Sequence, residues 1–364
     1  MIVDAYPHLD TPALCIDREA LEYNISAIAR WCSQYGKQWR PHAKCHRSGP
    51  IAQRLVAAGA IGATCATLAE AEVLAAAGIS DLLIANLVVA ARKLERLAQL
   101  RRVANPMLCV DHIAQAEALN ATFERHGMTI RVLVEVDIGM KRVGVSPGEA
   151  AWQLARHILR LPHLELAGLM GYEGHLLLVE DPQEKRRRIH QALDLLQETR
   201  DLWRRHGVAC PIVSCGGTGS LPYCLEHPAV TEVQAGGAIF MDEFYRHHCH
   251  TLPLRQSLWV LSRVVSRPCP LRAVMDAGRK ALSQDLAWPR VVSPTGCRVR
   301  SLSAEHGVLA VAEDADDISL GSLVRVIPGY SDFTTVLHDR YVVLSGDGIV
   351  DEWPIRSQVT LHRR

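Results

Sequence analysis

The stretch "IGATCATLAEAEVLAAAGISDLLIANLV", residues 61–88, decides the fold because it contains one complete strand–helix–strand unit. A β-rich run occupies 61–65, apolar residues recur at threes and fours over 67–77, and a second apolar run follows at 82–88. Gly78 stands just after the helical pattern, where helices commonly end. The stretch therefore predicts two neighbouring parallel strands joined by a helix.

The same alternation recurs along the first two thirds of the chain. Further β-rich runs lie at 40–44, 107–111, 131–138, 166–172, 211–215 and 231–235. Further helical patterns lie at 18–35, 91–102, 113–126, 147–160 and 183–206. Eight strands that alternate with helices predict an α/β fold, a (β/α)8 barrel of the TIM type. An open doubly wound sheet is the alternative, but no GxGxxG follows the first strand to support it.

The helical period disappears after about residue 245. Segments such as "SLWVLSRVVSRP" and "GVLAVAE" predict strands linked by Gly, Pro and Asp turns. We therefore expect two domains: a barrel over 18–245, and an antiparallel β domain that closes the active site, formed by 1–17 with 246–364.

Composition excludes several classes of partner. The chain has 40 Lys and Arg against 39 Asp and Glu, a formal net charge of +1, so it has no overall field to hold nucleic acid or an anionic membrane. Its most apolar stretch, 55–91, is interrupted by charged residues and is not expected to cross a bilayer. No signal peptide pattern opens the sequence, and the 11 cysteines form no CxxC pair. We expect a cytoplasmic protein that binds neither nucleic acid nor membrane.

The stretch "RPHAKCHRSG", residues 40–49, sets Lys44 among basic residues: His42 and His46 on either side, and Arg40 and Arg47 beyond them. Neighbouring positive charges lower the pKa of an ammonium group, and a lysine that is partly neutral can attack a carbonyl carbon. A solvated basic turn is the simpler interpretation of this pattern alone.

Glycine-rich segments follow the last two barrel strands. "SCGGTGS", residues 214–220, exposes backbone N–H groups and offers the hydroxyls of Thr218 and Ser220, which together suit a phosphate. "QAGGAIF", residues 234–240, including Gln234 and Gly236, is a second candidate source of backbone donors. Functional groups of such a barrel lie at the carboxyl ends of its strands, so both segments are expected near Lys44.

A reactive lysine with one phosphate cradle, and without Walker or dinucleotide fingerprints, predicts pyridoxal 5'-phosphate as the cofactor. Arg142, in "VDIGMKRVGV", is expected beside it. A guanidinium does not give up its proton, so it would keep the pyridine nitrogen unprotonated.

Motifs along nearly the whole chain occur in an order that resembles one family. They include "DTPALCID", "RPHAKCHRS", "VEVDIGMKRVGV", "GLMGYEGH", "GGTGS", "EVQAGGAIFMDEFY" and "IPGYSDFTTVLHD". The chain is similar to the D-threonine aldolase and D-serine dehydratase family, within the alanine racemase-like fold type III enzymes. The resemblance implies a barrel that binds pyridoxal phosphate, a C-terminal β domain, and a homodimer whose active sites borrow residues from the partner chain.

The resemblance also implies roles for single residues. Lys44 matches the lysine that binds the cofactor aldehyde, and Arg142 matches the arginine near the pyridine ring. Tyr172 matches the tyrosine that faces the cofactor. The phosphate loop is matched by Gly217, Thr218 and Gly219, and Ser220, Gln234 and Gly236 are further cofactor-binding candidates.

The chain departs from the family pattern at two places. The family binds a divalent metal through a His-x-Asp or His-x-Cys pair, but "PGYSDF" places Tyr330 where the histidine is expected and keeps only Asp332. A phenol with a pKa near 10 is a poor metal ligand compared with imidazole. Aldolase members also carry a histidine near the position of Leu178, for which His175 is the candidate substitute.

Three functions follow from this pattern. The first is a lyase that cleaves small β-hydroxy D-amino acids to glycine and an aldehyde, with Lys44, Tyr172 and His175 as the catalytic candidates. The second is a racemase that needs no metal, or a β-elimination like that of D-serine dehydratase. The third is a noncatalytic protein that buffers the cofactor, which the appended β domain argues against.

Overall fold

The computed structural model describes residue 6 and residues 9–248, 252–346 and 348–356, and these divide into two compact units. The barrel unit consists of Ala27–Gly236 with Arg356, and the β unit consists of the residues up to Ser26 with Gly237–Ile355. The domain boundaries expected at 18 and 245 stay predictions. Among the described residues, no helix is long and apolar enough to cross a membrane.

The first two elements are β1 (Ala13–Asp17) and α1 (Arg18–Gln34). The eight strands that follow are β2 (Gln38–Trp39), β3 (Ala63–Cys65), β4 (Asp81–Ile84), β5 (Asn105–Val110), β6 (Ile130–Glu135), β7 (Leu164–Met170), β8 (Ile212–Cys215) and β9 (Glu232–Val233). The helices between them are α2 (Gly49–Ala57), α3 (Leu68–Ala76), α4 (Ala91–Arg101), α5 (Ile113–Arg125), α6 (Glu149–Ile158), α7 (Pro182–Arg205) and α8 (Leu221–Glu226).

The eight strands of the barrel unit form one parallel sheet in the order β2-β9-β8-β7-β6-β5-β4-β3. The two edges of this order meet, because Thr64 N–H donates to Pro41 C=O at 2.9 Å and His42 forms a parallel bridge with Thr64. The sheet is therefore closed, and the predicted (β/α)8 barrel is confirmed.

The helix of the unit that decides the fold is capped at its amino end by Thr67. Thr67 Oγ1 accepts from Glu70 N–H at 3.2 Å, and the Glu70 carboxylate accepts from Ala66 N–H at 2.7 Å. Two N–H groups that lack partners within α3 are thereby satisfied. Gly62, just before β3, lets the strands approach, because a Cβ there would lie 1.9 Å from Asp81 O.

Side chains inside the barrel are arranged in layers along the strands. The side chain of Arg40, just after β2, reaches the amino ends of β9 and β4: its Nε lies 3.1 Å from Glu232 Oε1, and its Nη1 lies 3.0 Å from Asp81 Oδ1. Arg131 contacts the same Asp81 oxygen at 2.7 Å. Because side chains alternate between the faces of a strand, the next inward positions form a second layer. That layer is apolar and includes Leu83, Met107, Leu133 and Ala167.

In its described residues, the β unit contains β1 and eight later strands. They are β10 (Leu258–Cys269), β11 (Arg272–Met275), β12 (Arg290–Ser293), β13 (Cys297–Leu302), β14 (Gly307–Val311), β15 (Leu323–Ile327), β16 (Arg340–Ser345) and β17 (Gly348–Pro354). Their pairings are antiparallel except that of β1 with β16, which confirms the predicted β-rich domain. Its described residues also include the first half of α1 and two short helices, α9 (Glu243–His248) and α10 (Ser331–Thr335).

Some elements differ from the prediction. The strand expected at 40–44 is misplaced, because β2 covers only Gln38–Trp39 and Lys44 lies in a turn. No helical pattern was identified at α2, whose second residue is Pro50. Proline fits the first turn of a helix because the N–H that it lacks would have no partner there. The other helices not foreseen, α8, α9 and α10, have six residues or fewer, too few to display a helical period.

Candidate active site

Lys44 lies beyond the carboxyl end of β2, in a single 3-10 turn (Ala43–Cys45). The strand ends at Trp39, but His42 N–H still donates to Gln234 C=O at 3.0 Å, so the chain stays attached to the barrel up to the turn. Lys44 N–H donates to Nδ1 of His42 at 3.4 Å. These contacts place a half-buried Lys44 at the mouth where a barrel of this type carries its functional groups.

The two histidines that flank Lys44 are neutral near pH 7. Burial lowers the pKa of His46 to about 3. Burial also lowers the pKa of His42 well below its usual range, and the positive charges of Lys44 and Arg142 act in the same direction. Lys44 and Arg142 are therefore both close to His42, whereas the imidazoles add no positive charge around the lysine.

The two flanking arginines are paired with carboxylates. Arg40 is held by Glu232 inside the barrel, and Arg47 lies 3.2 Å from the buried Glu70. The expectation that Lys44 stands among four cations is therefore wrong. The two arginines are each paired with a carboxylate, and the two histidines are uncharged near pH 7. The sequence could not show this, since Glu232 lies 192 positions from Arg40.

Arg142 lies over the ring of Tyr172, with its Cζ 5.7 Å from the ring centroid. The loop that carries it follows β6 and is organised by Asp137, whose Oδ1 accepts from the N–H groups of Gly139 and Lys141, each at 2.9 Å. A guanidinium over an aromatic face is an attractive arrangement. The structure thus brings together two of the residues that the sequence selects.

Tyr172 also contacts the glycine loop after β8. A Cβ on Gly217 would lie 3.3 Å from Tyr172 Cε2, and one on Gly174 would lie 2.3 Å from Cε1, so the ring packs between two glycines. A Cβ on Gly219 would lie 2.6 Å from Leu177 Cδ2. The loop therefore needs small residues where it meets the segment after β7.

The two hydroxyls of the glycine loop differ in their surroundings. Ser220 Oγ donates to Glu173 Oε1 and accepts from Gly217 N–H at 3.0 Å, so it is engaged inside the protein. Thr218 Oγ1 is buried and has no hydrogen-bond partner in the described part of the chain. A buried hydroxyl without a partner is costly, which favours Thr218 over Ser220 as the group that meets a ligand.

The second glycine segment serves mainly to close the barrel. Gln234 Nε2 donates to Ser214 Oγ at 2.8 Å, so its side chain joins β8 to the end of β9. A Cβ on Gly236 would lie 2.2 Å from His42 O, so only glycine lets the chain pass this close to the turn of Lys44.

His175 lies in the 3-10 turn after β7, beside the loop that carries Arg142. A Cβ on Gly139 would lie 2.7 Å from His175 Nε2. Burial of the ring lowers the pKa of His175, and the charge of Asp137 opposes that effect. Leu178, where a histidine is expected, is 62% exposed. His175 is therefore the imidazole that this segment offers near the Arg142 loop.

Two buried glutamates near these residues were not foreseen. Burial raises the pKa of Glu135 to about 7, against the opposing effects of Cys109 and Arg142. Burial likewise raises the pKa of Glu173, which holds Ser220. A charged residue type inside an otherwise apolar run, as in "RVLVEVDI", was the signal that could have found Glu135.

The β unit places Asp332 in α10, immediately beyond Tyr330. Tyr330 Oη donates to Asp332 Oδ2 at 3.0 Å, and both residues are 7% exposed. Among the residues that the structure describes, the one group of three His, Cys, Asp or Glu ligand atoms close enough to share a metal is Glu173, Cys215 and Cys224. Asp332 is not in it. Tyr330 offers a phenol where the His-x-Asp pair has an imidazole, and its hydroxyl donates to the Asp332 carboxylate, so these residues do not fit the metal site that the resemblance implies.

The barrel residues do fit a phosphate-bearing cofactor that forms a covalent bond to lysine. The buried Thr218 hydroxyl has no partner among the described residues, and the glycine loop packs against Tyr172. Lys44 and Arg142 both act on His42, so amine, guanidinium and glycine loop belong to one region of the barrel unit.

Comparisons with known proteins agree over both units. Residues 16–243 match the alanine racemase N-terminal domain, and residues 257–344 match a serine dehydratase-type domain. D-Threonine aldolase of an Arthrobacter species is 36% identical over 358 residues, which is 98% of this chain and 94% of that protein. The 3-hydroxy-D-aspartate aldolase of Paracoccus denitrificans is 32% identical over 98% of this chain and 95% of its own.

A solved structure gives the same result. D-Threonine aldolase from Filomicrobium marinum superposes with a TM-score of 0.92 at 36% identity, over 95% of each chain. The resemblance predicted from the motifs is confirmed.

Proposed function

The chain belongs to the pyridoxal phosphate-dependent family defined by the alanine racemase N-terminal domain, and we propose that it is a lyase acting on small β-hydroxy D-amino acids. The reaction is a retro-aldol cleavage like that of D-threonine aldolase, and its products are glycine and an aldehyde. Aldolases among the relatives support this choice of reaction.

One geometric observation carries the assignment of the cofactor site. The ring of Tyr172 lies under Arg142 and against Gly217, which joins the arginine loop to the glycine loop at the mouth that holds Lys44. Pyridoxal phosphate brings an aldehyde for an amine, a phosphate for a glycine loop, and a ring that accepts electrons. The proposed holders are Lys44, Arg142, Tyr172, Gly217, Thr218, Gly219, Ser220, Gln234 and Gly236.

Lys44 and Arg142 have separate roles in the proposal. Lys44 would hold the cofactor aldehyde through Nζ, and the same amine could take or return a proton once the substrate is bound. Arg142 keeps its own proton, so it can stabilise negative charge without acting as an acid. Tyr172 sets the position of Arg142 through the contact between ring and guanidinium.

His175 is the proposed base for the substrate hydroxyl. Its lowered pKa keeps the imidazole neutral near pH 7, so a ring nitrogen can accept a proton. The β-hydroxyl proton would pass to His175, the O–H electrons form the carbonyl of the aldehyde, and the electron pair of the broken Cα–Cβ bond stays on Cα. Lys44 Nζ would then return a proton to Cα, which gives glycine.

Incubation with D-threonine, D-serine and D-alanine tests the reaction, because each alternative has its own product. Glycine and acetaldehyde support the lyase, pyruvate supports β-elimination, and an L-enantiomer supports racemisation. Absence of turnover with the cofactor bound would favour a noncatalytic protein and contradict the proposal.

The covalent bond to Lys44 is tested separately. After loading with pyridoxal phosphate and borohydride reduction, peptide mass spectrometry should find the cofactor on Lys44. Lys44→Ala should lose the visible absorbance of the bound cofactor, whereas Lys93→Ala, at an exposed position on α4, should keep it. Modification at another lysine would overturn the assignment.

A homodimer and a cytoplasmic location are part of the same proposal. The described cysteines are all free, which is compatible with a reducing compartment. Light scattering on the holoenzyme would test the dimer, with a mass of twice 40.2 kDa expected.

A further inference from the structure

The segment that carries Tyr330 and Asp332 is a fixed part of the β unit. Tyr330 is the residue before α10, and Asp332 lies in its first turn. Ser331 N–H, between them, donates to Asp242 Oδ2 at 2.6 Å, which attaches the start of this helix to the segment before α9. The backbone that presents both side chains is therefore held in place.

The ring of Tyr330 is held by other aromatic rings. Its centroid lies 5.5 Å from that of Phe244, 5.9 Å from that of Tyr245 and 5.1 Å from that of Phe333. Edge and tilted contacts at these separations are favourable. Because the residue is also 7% exposed, the ring cannot leave its place without opening this cluster.

The phenol uses this position to donate to the carboxylate. Tyr330 Oη lies 3.0 Å from Asp332 Oδ2, which is hydrogen-bonding distance. A metal ion bound by that oxygen would have to displace the hydroxyl. The tyrosine would supply only a protonated phenol in exchange, whereas a neutral imidazole offers the lone pair that Mn²⁺ or Zn²⁺ prefers.

The neighbouring acidic group does not replace the missing ligand. Asp242 Oδ1 accepts from Tyr245 N–H at 2.9 Å, and its Oδ2 accepts from Ser331 N–H, so both oxygens are used by the backbone. Within the described ranges, Asp332 belongs to no group of three His, Cys, Asp or Glu ligand atoms close enough to share a metal ion.

We propose that in this chain the hydrogen bond between Tyr330 and Asp332 takes the place of the divalent metal, and that the enzyme works without one. The claim about activity rests on the proposed lyase function. The claim about the site does not, because metal binding can be measured on protein that turns over no substrate.

The first test measures Mn²⁺ binding to the cofactor-loaded full chain by electron paramagnetic resonance, in which free Mn²⁺ gives the signal. In the presence of wild type, one equivalent of added Mn²⁺ should give the same signal as in buffer, because the ion stays free. Tyr330→His, which creates His-x-Asp, should bind Mn²⁺ at least about 10–100-fold more tightly than wild type. Adding Asp332→Asn to Tyr330→His should remove that gain.

Tyr330→Phe is the matched control. It keeps the ring among its aromatic neighbours and removes only the hydroxyl, so it should gain little affinity because no new ligand is supplied. The proposal is overturned if wild type binds one Mn²⁺ that Asp332→Asn abolishes, or if folded Tyr330→His binds no better than wild type. Circular dichroism identifies variants that fail to fold.

The second test measures turnover of D-threonine before and after treatment with a chelator. Unchanged activity of wild type is expected, and a loss that added Mn²⁺ restores would overturn the proposal. If wild type turns over no substrate at all, the lyase assignment fails, and the Mn²⁺ measurements still decide the question of the metal site.

Discussion

Thr218 and Ser220 carry the same functional group two residues apart, yet their surroundings give them different roles. The Ser220 hydroxyl is enclosed between Glu173 and Gly217 N–H, whereas the buried Thr218 hydroxyl has no partner among the described residues. A group that already has its hydrogen bonds gains little by contacting a ligand, while a group without them gains the full interaction. At the scale of single residues, burial without a partner marks the ligand-facing hydroxyl.

Replacing Thr218 should therefore weaken binding of the cofactor. Thr218→Val keeps the shape and removes the hydroxyl, and a hydrogen bond to a charged phosphate contributes about 1.5–3 kcal/mol. We expect the Kd of pyridoxal phosphate to rise about 10–100-fold, measured by fluorescence titration of the cofactor-free protein. Thr218→Ser is the control and should stay near wild type; equal affinities for the Val and Ser variants would contradict the role.

Glu135 should give the protein a distinctive pH dependence. Its pKa is about 7 in the folded chain, because of burial, and about 4.5 in the unfolded chain, so the folded state binds the proton more tightly. The free energy of unfolding should then fall as pH rises from about 4.5 to 7, and the contribution should level off above pH 7. At about 1.4 kcal/mol per pKa unit, the largest possible effect is about 3 kcal/mol.

The test is Glu135→Gln, which cannot titrate. Denaturant unfolding at several pH values should show a smaller decline between pH 4.5 and 7 in this variant than in wild type. Glu165→Gln, at an exposed position on β7, should show the same decline of the unfolding free energy with pH as wild type. If the unfolding free energies of Glu135→Gln and wild type decline in parallel over this pH range, Glu135 is not the origin of the pH dependence.

At the scale of elements, the order of strands and helices could be predicted because each element carries its own period. Contacts between distant elements could not. The hydrogen bond from Ser220 to Glu173 joins residues 47 positions apart, and no local pattern announces it. The end of β2 was misplaced because "RPHAK" continues the polar and apolar alternation into a segment that pairs only up to His42. Lys44 lies beyond the carboxyl end of β2, but its charge environment depends on those distant contacts.

The approach of β9 to the turn of Lys44 gives a test at this scale. In Gly236→Ala, the new Cβ would lie 2.2 Å from His42 O, so the strand end or the turn must move. Such crowding costs about 1–3 kcal/mol of unfolding free energy, and the movement should also weaken cofactor binding. Gly348→Ala is the matched control, since its Cβ would meet nothing closer than 3.8 Å, and both quantities should stay close to wild type. A Gly236→Ala protein with unchanged stability and cofactor affinity would contradict the tight approach.

At the scale of the whole molecule, the barrel unit separates stability from chemistry along its axis. The amino ends of β4, β6 and β9 hold Asp81, Arg131 and Glu232 in an ionic layer that the Arg40 side chain joins, while the carboxyl ends hold Lys44 and the glycine loop. The two levels are separated by the apolar layer that contains Leu83 and Leu133. In barrels of this type, residues at the amino ends serve stability and those at the carboxyl ends serve function.

Arg40 and Lys44, four positions apart, should therefore fail in opposite ways when they are substituted. Arg40→Met leaves Glu232 as a buried charge with a lost partner, which should lower the unfolding free energy by about 3–5 kcal/mol. Where it remains folded, this variant should still bind the cofactor covalently. Arg40→Met combined with Glu232→Leu should recover at least half of the loss, because no buried carboxylate is then left at that position. Lys44→Ala should lower the unfolding free energy clearly less than Arg40→Met and should lose the bound cofactor, because the half-buried lysine lies at the mouth and not inside the barrel. Denaturant unfolding of the cofactor-free proteins, together with absorbance of the loaded proteins, measures both effects; loss of stability in Lys44→Ala as large as in Arg40→Met would show that the two levels are not separate.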